Sequence, residues 1–84
     1  MKNNYKFVKN FYIFEGRETF TGVVQDKDNN IAYYLNGQLH REDGPAIEYG
    51  HFSKSWYLNG NCYGKNNYFT NESWIRFVKL ELLK

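Results

Sequence analysis

The stretch that decides the fold is Tyr33-Tyr34-Leu35-Asn36-Gly37-Gln38-Leu39-His40-Arg41-Glu42-Asp43-Gly44-Pro45-Ala46. Two aromatic residues and a leucine lead into Asn36-Gly37, and the same pattern returns as Trp56-Tyr57-Leu58 before Asn59-Gly60. Asn-Gly is the strongest short-range signal for a β-hairpin, because both residues tolerate the positive φ of a type I′ turn. The two pairs stand 23 residues apart, a fixed spacing typical of a repeated supersecondary unit.

The rest of the chain extends this pattern in both directions. A fainter copy, Tyr12-Ile13-Phe14-Glu15-Gly16, precedes the first clear one, and residues 2–14 predict one or two short strands broken near Lys9-Asn10. After Gly64 the apolar period changes from two to 3.6. The stripe of Trp74, Phe77, Val78 and Leu82 then predicts a helix, with its N-cap candidates in Thr70-Asn71-Glu72-Ser73.

These elements predict an α+β fold, an antiparallel β-meander of hairpins with a C-terminal α-helix packed on one face. At 84 residues the chain has the length of one small domain, 1–84. Its meander would occupy 1–65, and 66–84 would form a helix that caps the open core of the last repeat.

Strand alternation divides the repeats into two faces. Aligning the copies on glycine places six residues on a core face, namely Tyr12, Tyr33, Trp56, Phe14, Leu35 and Leu58. Ile13, Tyr34 and Tyr57 then form a row on the opposite face. Because tyrosine is enriched at interface centres, this row and neighbouring Lys54 are the candidate partner-binding residues, although a curled sheet could equally cover the row.

A second group of residues is predicted to shape the turns. Its members are Asn36, Gly37, Asp43, Gly44, Pro45, Asn59 and Gly60. Proline cannot donate to a strand ladder, so Asp43-Gly44-Pro45 is expected to interrupt the sheet, with Gly44 at positive φ.

The cluster His40-Arg41-Glu42-Asp43 is the one place where acid–base chemistry is conceivable. A small hydrolase would use His40 with Asp43 or Glu42. The structural interpretation, in which Asp43 caps the turn and Arg41 pairs with a carboxylate, is favoured because no nucleophile elbow or phosphate loop accompanies the cluster. The two histidines and Cys62 lack the spacing of metal ligands, so we expect no catalytic residue, no metal and no cofactor.

Composition and charge limit the location and the partners. The single cysteine excludes an internal disulfide, no leader or membrane-length apolar run is present, and a cytoplasmic protein is expected. The net charge of +2 hides an acidic middle, since residues 15–50 hold seven acids against three bases. This balance makes nucleic acid an unlikely partner, although an aromatic sheet with basic flanks leaves a single-stranded nucleic-acid-binding accessory protein as the alternative function.

The run Leu35 to Ala46 resembles the MORN-like repeat family, in which an aromatic-Leu-Asn-Gly unit precedes His-Arg-Glu-Asp-Gly-Pro-Ala. The resemblance covers residues 31–65, but the second copy replaces the His-Arg-Glu-Asp-Gly-Pro segment with Asn61-Cys62-Tyr63-Gly64-Lys65. It implies a small viral or phage protein with a binding role. The expected function is therefore non-enzymatic inhibition of a bacterial host protein, such as a CRISPR–Cas-like defence component. The expected state is a monomer, or a homodimer formed through an edge strand.

Overall fold

The computed structural model describes residues 4–84, which form a mostly antiparallel β-sheet and one C-terminal α-helix. This confirms the predicted α+β class. In chain order the strands are β1 Tyr5–Val8, β2 Gly22–Asp26, β3 Asn30–Leu35, β4 Gln38–Leu39, β5 Ile47–Tyr49, β6 Ser53–Leu58 and β7 Asn61–Lys65. The helix α1 is Asn71–Leu82, and 3₁₀ turns lie at Arg17–Thr19 and Asn66–Tyr68.

Both predicted Asn-Gly turns form with nearly the same backbone geometry. Asn36 and Gly37 have φ of 49° and 82°, and Asn59 and Gly60 have φ of 50° and 82°. These left-handed conformations are those of a type I′ turn, which matches the twist of the strands that it joins. The two glycine amides also donate outside their own hairpins, Gly37 to the Phe20 carbonyl at 2.9 Å and Gly60 to the Leu39 carbonyl at 2.8 Å.

The sheet order is β1-β2-β3-β5-β6-β7, and the short strand β4 also pairs with β3. Both β4 and β5 are antiparallel to β3, with β4 opposite residues 34–35 and β5 opposite residues 30–32. β4 and β5 therefore lie end to end along the same edge of β3, and residues 40–46 separate them. The predicted interruption of the sheet at Asp43-Gly44-Pro45 is confirmed.

The start of the chain departs from the predicted meander. β1 pairs with β2 in parallel, so it is not the first arm of a hairpin. The predicted break at Lys9-Asn10 is present because the Asn10 side-chain oxygen accepts hydrogen bonds from the Tyr12 and Ile13 amides. This local turn replaces strand pairing, as asparagine often does. Residues 9–20 then cross the sheet as an irregular covering segment.

The sheet has one core on each face, at opposite ends. On the segment face, which residues 9–20 cover, the core consists of Val8, Val24, Ala32, Tyr34, Leu39, Ala46 and Ile47, with Phe11, Phe14 and Phe20 packed against it. On the helix face, Trp56 and Leu58 pack against Trp74 and Val78 of α1. Each cover reaches only part of its face.

This arrangement corrects the predicted division into core and partner faces. Tyr34 is 3% exposed and Leu35 is 37% exposed, the reverse of the prediction. Tyr12, also predicted in the core, is exposed, whereas Trp56 and Leu58 are buried as predicted. The physical reason is that the covering segment packs on the face that the sequence left open, while α1 packs on residues of the second repeat.

The helix begins with a capping box. The Thr70 side chain accepts a hydrogen bond from the Ser73 amide, and the Ser73 side chain in turn accepts from the Thr70 amide. This satisfies two donors that a helix start would otherwise leave unpaired. Trp74 and Val78 are buried as the stripe predicts, but Leu82, at the end of the helix, is exposed.

Candidate functional site

The residues that could take part in acid–base chemistry lie in the loop between β4 and β5. The His40 amide donates to the Tyr33 carbonyl at 3.0 Å, and the Tyr33 amide donates to the Ala46 carbonyl at 2.8 Å. Residues 41–45 are therefore extra residues inserted opposite a single position of β3. The Arg41 guanidinium lies 4.0 Å from the ring centroid of Tyr33, so the loop lies over the helix face.

His40 connects this loop to the second Asn-Gly turn. Its Nδ1 accepts a hydrogen bond from the Asn59 amide at 2.9 Å, and its Nε2 lies 2.9 Å from a Glu42 carboxylate oxygen. Because a backbone amide can only donate, Nδ1 carries no proton and Nε2 is the donor to Glu42. The side chain is 9% exposed. Both ring nitrogens are thus engaged in holding the structure.

Arg41 is bonded on several sides. Its Nε donates to Asp43 at 2.8 Å and its Nη1 to Glu48 at 3.3 Å, so the predicted ion pair with a neighbouring carboxylate is present. Its carbonyl accepts a hydrogen bond from the Trp74 indole at 2.9 Å. Arg41 consequently joins the loop both to the sheet and to α1.

The prediction for Gly44 is wrong, and the role predicted for Asp43 is different. Gly44 is not among the glycines with positive φ. A Cβ at Gly44 would lie 2.8 Å from Cζ of Arg41, so glycine provides room for the guanidinium. Asp43 accepts from that guanidinium, and the buried Pro45 also accepts from it through its carbonyl at 3.3 Å.

The four predicted partner-binding residues do not form one row. Tyr34 is in the core, where its hydroxyl donates to the Phe11 carbonyl at 3.1 Å, so it is not available to a partner. Ile13 is exposed but belongs to the covering segment, outside any strand. Tyr57 is half-buried and Lys54 is exposed, both on β6. Tyr57 and Lys54 therefore remain candidates.

Tyr57 lies at the centre of a shallow groove on the segment face. Two adjoining hollows, of about 420 and 280 Å³, share Tyr49 and Tyr57 in their linings. We call this surface the tyrosine groove. Its lining consists of Asn10, Phe11, Tyr12, Leu39, Ile47, Tyr49, Tyr57, Ser53, Lys54, Ser55, Lys65 and Asn66.

The electrostatics of the tyrosine groove are neutral to basic. Its lining includes no carboxylate, and Lys65, opposite Ser55, provides a positive charge on this face, whereas strand alternation directs the Lys54 side chain to the helix face. Burial, followed by the proximity of Cys62 and Tyr49, raises the pKa of the Tyr57 phenol above its ordinary value, so this hydroxyl is a neutral donor and acceptor. The groove can accept an aromatic or aliphatic side chain and pair with an anionic group at its β7 end.

A second uncovered surface lies on the helix face, beyond the reach of α1. The strand register forms two rows of neighbours across β1, β2 and β3. One row is Tyr5, Val23 and Tyr33, and the other is Phe7, Gln25 and Ile31. The open patch, as we call it, consists of Tyr5, Phe7, Val23, Ile31, Tyr33 and Leu35. Tyr5 is 60% and Phe7 62% exposed. The patch was not predicted, because the meander pattern implies a hairpin at β1, although the spacing of Tyr5 and Phe7 places both residues on one face.

Among residues 4–84, no three histidine, cysteine or acidic side chains come together where a metal ion could be held. In the same part of the chain, no helix has the length and apolar character needed to cross a membrane. No protein-family model, curated protein or solved structure matches the chain.

Proposed function

We propose that this protein is a non-enzymatic protein-binding module that uses the tyrosine groove. The observation that carries the proposal is that Tyr49 and Tyr57, both half-buried, line one groove together with the apolar residues Leu39 and Ile47. Tyrosines held in this way contribute a large contact area with little loss of side-chain entropy, and they are frequent at interface centres.

The fixed state of the His40 cluster supports a non-enzymatic function. A general base needs a free nitrogen within reach of a substrate, whereas Nδ1 of His40 holds the Asn59 amide. The acidic loop also favours protein over nucleic acid. Glu42, Asp43 and Glu48 lie on the face with the exposed Tyr5 and Phe7, where stacked bases would bring phosphates close to carboxylates.

The finer proposal concerns the class of partner. The resemblance of residues 31–65 to MORN-like repeats supports a phage or viral protein that inhibits a bacterial host protein, with a CRISPR–Cas-like defence component as a suitable target. Expression in a bacterium with an active defence system should then restore phage plaque formation. Unchanged plaque counts with well-expressed protein would contradict this finer proposal and would leave the binding function standing.

The binding function is tested by affinity capture with a matched pair of variants. Immobilised wild-type protein and the variant Tyr12→Ser with Tyr57→Ser are exposed to the same bacterial extract, and the captured proteins are identified by mass spectrometry. A protein retained by the wild type and by Leu80→Ser, an exposed change on α1, should be lost from the groove variant. Identical sets of proteins on all three would contradict a role for the groove.

A further inference from the structure

We propose that the open patch binds a basic amphipathic helix of a second protein, in the manner in which the chain binds its own α1 one repeat later. The open patch and the surface under α1 are related by the internal repeat. Tyr33 and Leu35 stand 23 residues before Trp56 and Leu58, and register through Glu48 and Lys54 places all four on one face of the sheet.

The surface under α1, in the second repeat, shows which kind of segment binds to such a site. Trp74 and Val78 of α1, four residues apart, lie on Trp56 and Leu58, and all four are buried. The i, i+4 pair is one stripe of an amphipathic helix. The first repeat presents an aromatic residue and a leucine at the equivalent positions, but no helix of residues 4–84 lies on them. The Arg41 guanidinium covers the Tyr33 ring, and Leu35 remains 37% exposed.

The open patch is also continuous with the interface that α1 already makes. Arg41 lies between the open patch and the surface under α1. Its guanidinium lies over Tyr33, and its carbonyl accepts a hydrogen bond from the indole of Trp74. A helix lying on the open patch would therefore contact the same loop as α1. The hollow beside this loop, about 420 Å³ and lined by Val23, Tyr33, Arg41 and others, has room for a large side chain of the partner.

The charges that border the open patch determine which net charge the partner should carry. Every strand of the open patch except β1 comes from residues 15–50, which hold seven acids against three bases. Locally, Asp43 and Glu48 both bond the single guanidinium of Arg41, and Glu42 pairs with the neutral His40. Lys54 stands opposite Glu48 on the same face, so three carboxylates face two cations here. In β1, Lys6 lies over Phe14 and Phe20 of the covering segment, on the other face. The patch thus faces a partner with an acidic border, which complements lysine and arginine beside an apolar stripe.

The test uses three labelled synthetic peptides derived from residues 70–84, because α1 in this sequence already packs on the equivalent surface of the second repeat. Replacing Glu72 and Glu81 by lysine raises the net charge of the peptide side chains from +1 to +5 without changing the apolar stripe. Replacing Arg76, Lys79 and Lys84 by glutamate gives an acidic peptide, and Trp74→Ala with Val78→Ala removes the stripe. Binding to the intact protein is measured by fluorescence anisotropy.

The basic peptide should bind, and the acidic and stripe-less peptides should bind at least about tenfold more weakly. Leu35→Ser and Phe7→Ser, each verified as folded by circular dichroism, should each weaken the basic peptide about tenfold, whereas Leu80→Ser and Tyr57→Ser should not. Since Tyr57 belongs to the tyrosine groove, this result is independent of the proposed function. No binding of the basic peptide, equal binding of the acidic one, or binding that survives both patch variants would overturn the proposal.

Discussion

At the scale of single residues, the loop from His40 to Ala46 depends on how Arg41 is held. The guanidinium lies over Tyr33 and bonds Asp43, Glu48 and the Pro45 carbonyl. A planar group bonded on several sides cannot move away when space is taken from it. The glycine at position 44 is therefore required by its neighbour and not by its own backbone angles.

The close approach of Gly44 and Arg41 should make the effects of substitutions at the two positions non-additive. Gly44→Ala should lower the free energy of unfolding by about 1 kcal/mol, because the new Cβ would lie 2.8 Å from Cζ of Arg41. In a protein that already carries Arg41→Ala, the same change should cost almost nothing. Urea denaturation of the two single variants and the double variant measures the coupling. Equal costs in both backgrounds would show that Arg41 is not the obstacle.

Asp26 provides a second residue-scale prediction, on acid stability. Burial alone would raise the pKa of this carboxyl, but hydrogen bonds from Asn30 and from the Asp28 amide outweigh it and lower the pKa below its ordinary 3.8. The folded state thus favours the charged form. The resulting stabilisation is present above about pH 4 and is lost as the pH falls through the lowered pKa.

The melting temperature should therefore fall below pH 4, and Asp26→Asn should lower it at pH 7 and flatten its dependence on pH in that acidic range. Asp28→Asn, at the exposed neighbouring position, is the matched control and should keep the acid slope. A slope that is unchanged in Asp26→Asn would assign the acid sensitivity to another carboxyl.

At the scale of elements, residue pattern predicted what is local and missed what depends on distant chain. The hairpin at Asn36-Gly37, the interruption at Pro45 and the cap at Thr70 are each fixed by side chains within a few residues. The parallel pairing of β1 with β2 is not, because residues 9–20 intervene and no local signal specifies their path. The prediction of Tyr34 as a partner-binding residue is wrong for the same reason, since that path buries Tyr34.

The bond between α1 and the loop gives an element-scale prediction. Trp74→Phe keeps an aromatic ring in the core but removes the indole donor to the Arg41 carbonyl, 2.9 Å away. The free energy of unfolding should fall by about 1–2 kcal/mol, combining one hydrogen bond with a small loss of buried surface. In hydrogen exchange, the amides of Arg41 and Ala46, which donate to the Tyr57 and Ser55 carbonyls at the two ends of the loop, should lose protection more than those of β2. Uniform loss across the sheet would mean that the bond does not specifically hold the loop.

At the scale of the whole molecule, two covers on opposite faces divide the stability of a single sheet. Tyr34 belongs to the core under the covering segment, and Leu35, the next residue, is on the uncovered part of the helix face. One step along β3 therefore changes the environment completely. Neighbouring residues should respond very differently to the same truncation.

Tyr34→Ala should lower the free energy of unfolding by about 3–5 kcal/mol, through loss of a buried ring and of its bond to Phe11. Leu35→Ala should cost less than about 1 kcal/mol, since much of its surface is already hydrated. Thermal unfolding followed by circular dichroism distinguishes them. Comparable losses for the two variants would contradict the assignment of faces.

The same division has a consequence for the order in which the chain folds. The core under α1 is built from residues 56–78, a span of low contact order, whereas the core under the covering segment joins residues from 8 to 47. Contacts between residues close in sequence cost less loop-closure entropy and form earlier. The last hairpin and α1 should thus belong to the folding nucleus, and β1 with its segment should dock late. Substitutions at Phe14 or Phe20 should then speed unfolding while leaving the refolding rate nearly unchanged.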